Sequence, residues 1–222
     1  MANGKSMPRN NFCTGNVSDN KKRKLWKRSF LFVIILLILS VCIFFVLRKC
    51  TAGVPGNIVK EQDIVPCLQH GDIILRSGTG FWSELFRSSN STDKRFSHVG
   101  IVVVDNGEFK VLHSEGNDFT GEGNVRLDSL AEFIAASDGV GISRLKNGNP
   151  DEFVQAAVKY LDRPFDWKFN KDNDQEIYCT ELIDLALKSS GISSGLKVGS
   201  NGIFLPESCL DTEYFYEVKL NN

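Results

Sequence analysis

Apolar positions along this chain change rhythm several times, and each change predicts an element. From Ser29 to Leu47 there is no rhythm: "SFLFVIILLILSVCIFFVL" is nineteen residues without a charge, apolar on every face. A helix of that length crosses a bilayer. Further on, "DIILRS" (Asp72–Ser77) and "SHVGIVVV" (Ser97–Val104) are short apolar runs of strand length. The turn "NGE" (Asn106–Glu108) joins the second of these to "FKVLHSE" (Phe109–Glu115), which predicts a β-hairpin. "NVRL" (Asn124–Leu127), "GVGISRL" (Gly139–Leu145) and "EYFYEVKL" (Glu213–Leu220) predict further strands. Helices are expected at "GFWSELFRSS" (Gly80–Ser89), at "DSLAEFIAA" with Asp128 as its cap, and at "NPDEFVQAAVKYL" with Asn149 as cap and Pro150 in the first turn. A last helix begins at Cys179, turns Leu182, Ile183, Leu185, Ala186 and Leu187 to one face, and stops at Gly191. Strands gathered in the middle with helices around them indicate an α+β fold with a central antiparallel sheet, preceded by one transmembrane helix.

Charge sharpens the division. Residues 1–50 hold ten Lys/Arg against one acid, and residues 51–222 hold sixteen against twenty-six, balances of +9 and −10 that sum to the net −1. Six basic residues between Lys21 and Arg28 precede the apolar run, and only Arg48 and Lys49 follow it closely. The positive-inside rule then puts the N-terminus in the cytoplasm and the main domain outside, as in a bacterial inner-membrane protein facing the periplasm or cell exterior. A cleaved signal peptide would need a shorter apolar core and small residues at its end, whereas this run ends in "VLRKC". The expected organisation is a disordered basic tail over 1–28, a membrane span over 29–47, a linker over 48–60 and one domain over 61–222. An acidic outer domain disfavours nucleic acid as a partner.

Six cysteines are too few for a disulfide scaffold in a chain of this length, and no CxxC pair exists to build a zinc site or a thiol oxidoreductase. A Cys67–Cys209 bridge is open if the compartment is oxidising. Cys179 stands apart because it occupies the first turn of a helix, where the helix dipole lowers a thiol pKa and favours nucleophilic chemistry. Such a nucleophile needs a base, and the chain has three histidines: His70, His98 and His113. His70 precedes a Gly-Asp turn and reads as surface. His98 begins one strand of the predicted hairpin, and Val111, His113 and Glu115 alternate onto one face of the other. The hairpin therefore brings together two imidazoles, or an imidazole and the Glu115 carboxylate.

The stretches "GDIILRSG", "SHVGIVV", "VLHSEG", "RPFDWKFNKDNDQEIYCTELI" and "LPESCLDTEYF", in that order, resemble the permuted papain-like amidases of the YiiX and YaeF type. That group is related to NlpC-type cell-wall peptidases and to lecithin:retinol acyltransferase. The resemblance covers Gly71 to Phe215. It implies a circularly permuted papain-like (NlpC-like) domain in which the histidine precedes the cysteine. By resemblance, Cys179 is the nucleophile and His98 the general base. YiiX-like proteins commonly place a glutamate after the apolar run of the second strand, where this chain has His113. The cell-wall relatives and the acyltransferase use histidine there, so His113 is favoured as third member, with Glu115 as the alternative. Tyr178 is a pocket candidate, and "RPFDWKF" packs aromatics near the cysteine and reads as mainly structural, with Asp166 positioning the loop.

The expected function is a membrane-anchored cysteine hydrolase that cleaves amide, ester or thioester bonds through a thioester and needs no metal or organic cofactor. Its substrate is either a cell-wall peptide or an acyl-lipid amide. The alternative is a membrane-tethered binding module that keeps the fold without the reaction.

Overall fold

The computed structural model describes residues 33–40, 60–135, 137–170, 173–210 and 213–220. Residues 33–40 are helical (α1) and fall inside the expected membrane span. The rest of that span, the basic tail over 1–28 and the linker through residue 59 lie outside the described residues. Among the described residues no helix is long and apolar enough to cross a membrane. The chain divides into two units, Met1–Val54 and Pro55–Asn222.

The second unit is built on one antiparallel sheet in the order β4-β3-β2-β1-β5-β6. Its strands are β1 (Ile73–Arg76), β2 (His98–Asp105), β3 (Glu108–Gly116), β4 (Gly123–Ser129), β5 (Val140–Leu145) and β6 (Phe215–Val218). β1 is central and buried on both faces, which is why it reads as an unbroken apolar run rather than an alternation. Ile73 and Leu75 point into one core, and Ile74 points into the other. Each such fully buried aliphatic side chain contributes about 1.5–3 kcal/mol.

The β2–β3 hairpin forms as expected. Asn106 and Gly107 both take positive φ, 52° and 85°, as a tight two-residue turn between twisted strands requires. That turn fixes the register Ile101↔Leu112 and Val102↔Val111. Helices α3 (Phe81–Ser89), α5 (Pro150–Val158) and α6 (Cys179–Ser189) contribute to the core on one face of the sheet. α2 (Glu61–Ile64) and α4 (Leu130–Ala135) cover the other. Asn149 caps α5 as expected, its side chain accepting from the Asp151 N–H at 3.0 Å.

Two expectations need correction. Asp128 does not cap α4. It lies on β4, and Ser129 does the capping: the Glu132 N–H donates to Ser129 Oγ, and Ser129 N–H and Oγ donate to the Glu132 carboxylate. The Cys67–Cys209 bridge does not form. Cys67 packs against the core on one face and Cys209 belongs to the core on the other, with the sheet between two free thiols.

Candidate active site

Cys179 is the first residue of α6, with Tyr178 as the residue before the helix. The apolar face of α6 is pressed onto the sheet, so its first turn is buried too, and Cys179 is only 2% exposed. Burial pushes its thiol up to about 11, against the pull of the Val99 and Thr180 backbone N–H groups and the nearby Arg76 charge. The thiol is therefore protonated at neutral pH. This reverses the lowering expected from the helix end, because losing water outweighs the dipole.

His98 opens β2, and His113 lies on β3 with its side chain on the same face of the sheet. Between them is Gly100. A Cβ there would lie 2.4 Å from Val111 Cγ1 and 3.1 Å from His113 Cβ, so the missing side chain lets β3 bring His113 close. The two imidazoles meet edge to face, with His98 Nε2 2.9 Å from His113 Nδ1. Phe133 on α4 closes against both rings. Burial, then the charges of Arg76, His113 and Arg126, hold His98 well below the usual imidazole range. Burial also lowers His113, although Asp128 pulls it the other way. His70 is held elsewhere, accepting from the Val104 N–H at 3.0 Å.

Glu115, the alternative third member, is taken by arginines. Arg76 Nη2 pairs with its Oε1, and Arg126 Nη2 donates to its Oε2 at 2.8 Å. The carboxylate that meets His113 is Asp128, whose Oδ2 lies 3.0 Å from His113 Nε2 and accepts from Arg126 Nε at 2.9 Å. His113 and then Arg126 hold Asp128 below the usual carboxylate range. Donor atoms of His113, Glu115 and Asp128 lie within 4.8 Å of one another. Both carboxylates are already bound by guanidinium groups, and a divalent ion there would sit against two positive charges. The donor set does not suit a metal.

Cys179 and His98 open onto one cavity of about 60 Å³. Arg76, Glu115 and Gly116 line its polar side, and Trp82, Phe86, Phe165, Trp167 and Phe169 form an aromatic wall. Gly116 allows that wall to close, since a Cβ there would meet Phe165 and Trp167 at 2.7 and 2.8 Å. The loop read as structural thus also supplies the wall. Asp166 does position it, its carboxylate accepting the N–H groups of Lys168 and Asn170. Tyr178, expected in the pocket, is absent from the lining. It is wholly buried, its hydroxyl accepts from the Phe204 N–H at 3.1 Å, and its ring packs on Phe169. Asp128 is missed in sequence, and the "RPFDWKF" aromatics, expected near the cysteine, read there as structural rather than as the cavity wall. The Ser129-x-x-Glu132 capping pattern was the signal that could have released Asp128 from the cap.

Residues 67–206 match the model of a family described as permuted papain-like amidase enzyme, YaeF/YiiX, C92 family. The uncharacterized protein YiiX of Escherichia coli strain K12 is 28% identical over 121 residues, which covers 52% of this chain and 55% of that protein. The chain therefore matches about half the length of that curated relative. A crystal structure described as metalloprotein yiiX from Escherichia coli O157:H7 superposes with a TM-score of 0.56 at 19% identity, covering 69% of this chain and 97% of the other. That likeness supports the fold.

Proposed function

Because the chain belongs to the permuted papain-like amidases of the YaeF/YiiX type, family C92, we propose that it is a cysteine amidase with Cys179 as nucleophile, His98 as base and His113 as the group that orients the base. The observation that carries this reading is the shared cavity of Cys179 and His98, with His98 Nε2 hydrogen-bonded to His113 Nδ1. The resting pair is a thiol and a neutral imidazole. His98 takes the thiol proton as the sulfur attacks an acyl carbonyl, so the charged pair forms only during reaction. The oxyanion faces backbone N–H groups at the start of α6, that of Cys179 among them. A thioester forms as the C–N bond breaks, His98 returns the proton to the leaving amine, and water then hydrolyses the thioester. Arg76 and Arg126 hold the Glu115 and Asp128 carboxylates, so this reading assigns no step to a metal there.

In this reading residues 29–47 form a single-pass anchor, with the N-terminus cytoplasmic and the domain outside. The aromatic wall suits an amide with an apolar group beside the scissile bond, in a cell-wall peptide or an acyl lipid. The test is hydrolysis of peptide amides and acyl amides by the full chain in detergent. Turnover is expected in one class and is expected to fall by about a thousandfold or more in Cys179→Ala and in His98→Ala. Turnover that survives Cys179→Ala would overturn the mechanism. A folded wild type that binds both classes and turns over neither would be the tethered binding module.

A further inference from the structure

A neutral imidazole has one nitrogen that donates and one that accepts, and the two cannot be chosen independently. Here the choice is forced from one end. An ionised Asp128 can only accept, so His113 Nε2, 3.0 Å from Asp128 Oδ2, must donate. His113 is wholly buried, and in its neutral form its Nδ1 is then bare. That bare nitrogen lies 2.9 Å from His98 Nε2, so His98 must donate there. The remaining nitrogen of His98, Nδ1, is left without a proton, which makes it the accepting nitrogen His98 can offer in the cavity it shares with Cys179.

We infer that Asp128 is a positioning residue that sets the tautomer of both histidines, so that a directional relay of Asp128, His113 and His98 fixes which His98 nitrogen can accept a proton in the cavity shared with Cys179. The inference rests on the reading of Cys179 and His98 as the reacting pair. Arg126 donates to the same Asp128 Oδ2 at 2.9 Å and holds that oxygen in place. Glu115 cannot substitute, since Arg76 and Arg126 occupy both its oxygens. Ser129 and Glu132 cap α4, so Asp128 has no duty there. Without Asp128, His113 is free to carry its proton on Nδ1. His98 Nε2 must then accept, its proton moves to Nδ1, and the ring no longer has a free nitrogen to act as base toward the thiol.

The experiment uses the full chain in detergent with ¹⁵N-labelled histidine. The imidazole tautomers are read by NMR, and alkylation of Cys179 by iodoacetamide at neutral pH is followed by mass spectrometry of its peptide. Wild type is expected to show the Nε2–H form at both His98 and His113. Asp128→Ala is expected to lose that signature at both rings and to slow alkylation about ten- to hundredfold. Added formate is expected to restore part of the rate, and Asp128→Asn, which keeps an amide oxygen, to recover part of it. An Asp128→Ala chain with both signature and rate intact overturns the relay, as does a slower rate with unchanged tautomers. His98→Ala separates the two readings. If it alkylates as fast as wild type, the reacting pair is wrong, while the wild-type spectrum still reports whether the relay exists.

Discussion

Gly100 and Cys179 show how much chemistry rests on single positions. A methyl group at Gly100 collides with Val111 and His113, and relief requires β3 to move away from β2. Gly100→Ala is therefore expected to destabilise the domain by roughly 1–3 kcal/mol, as overpacking does. It is also expected to lengthen the contact between His98 and His113. Chemical denaturation reads the first effect, and loss of the coupled imidazole signals in the ¹⁵N spectrum reads the second. An alanine variant with unchanged stability and spectrum would show that β3 is not held by this contact. At Cys179 the helix start readable in the sequence points to a lowered thiol pKa, and burial raises it instead. Position on a helix is visible in a sequence, but 2% exposure is a property of the assembled core, and burial decides the thiol.

At the scale of elements, the start of α6 carries an unusual acid. Glu181 is 1% exposed, its Oε2 accepts from the Tyr178 N–H at 3.3 Å, and its Oε1 has no hydrogen-bond partner among the described residues. Burial pushes its pKa to about 8, helped by the neighbouring Asp166 and Asp184. A carboxyl raised from 4.5 to about 8 binds more protons folded than unfolded in that window. Stability is thus lost as pH rises from about 4.5 to about 8. Glu181→Gln keeps the acceptor and removes the titration, so urea midpoints of the variant should gain on wild type between pH 5 and pH 9. Parallel midpoints would mean that Glu181 is already ionised. The elements themselves were legible because their apolar periods and turn residues are local: Asn106-Gly107 sets the hairpin, and Asn149-Pro150 starts α5. The aromatic wall was not, because Phe165, Trp167 and Phe169 gain their role only when their loop folds against Gly116 and Trp82. Asp128 was misplaced because Asp128 and Ser129 are both good caps, and only the strand register gives the cap to Ser129.

At the scale of the whole domain, a segment late in the chain is fastened to the loop between α3 and β2. Glu207 in the turn Pro206–Cys209 does this. Its carboxylate accepts five hydrogen bonds from residues 91–93: the N–H and Oγ of Ser91 at 2.8 and 2.5 Å, the N–H and Oγ1 of Thr92 at 2.8 and 2.9 Å, and the Asp93 N–H at 2.8 Å. Burial alone would raise this carboxyl, but the donors of Ser91, Thr92 and Asp93 together hold it to about 2. Below pH 4.5 the unfolded chain takes up this proton and the folded chain resists it, so stability falls as pH drops through 4.5 toward 2. Glu207→Gln loses the charge and turns an amide N–H₂ toward some of the same donors. At pH 7 it is expected to be less stable than wild type by about 2–4 kcal/mol, because charge-assisted bonds are lost and buried donors are left unmet. The gap should narrow toward pH 2, since the wild-type clasp is protonated there as well. Urea unfolding at pH 7, 4 and 3 measures it. A gap that stays constant across that range would mean that the five donors hold the segment by shape rather than by charge.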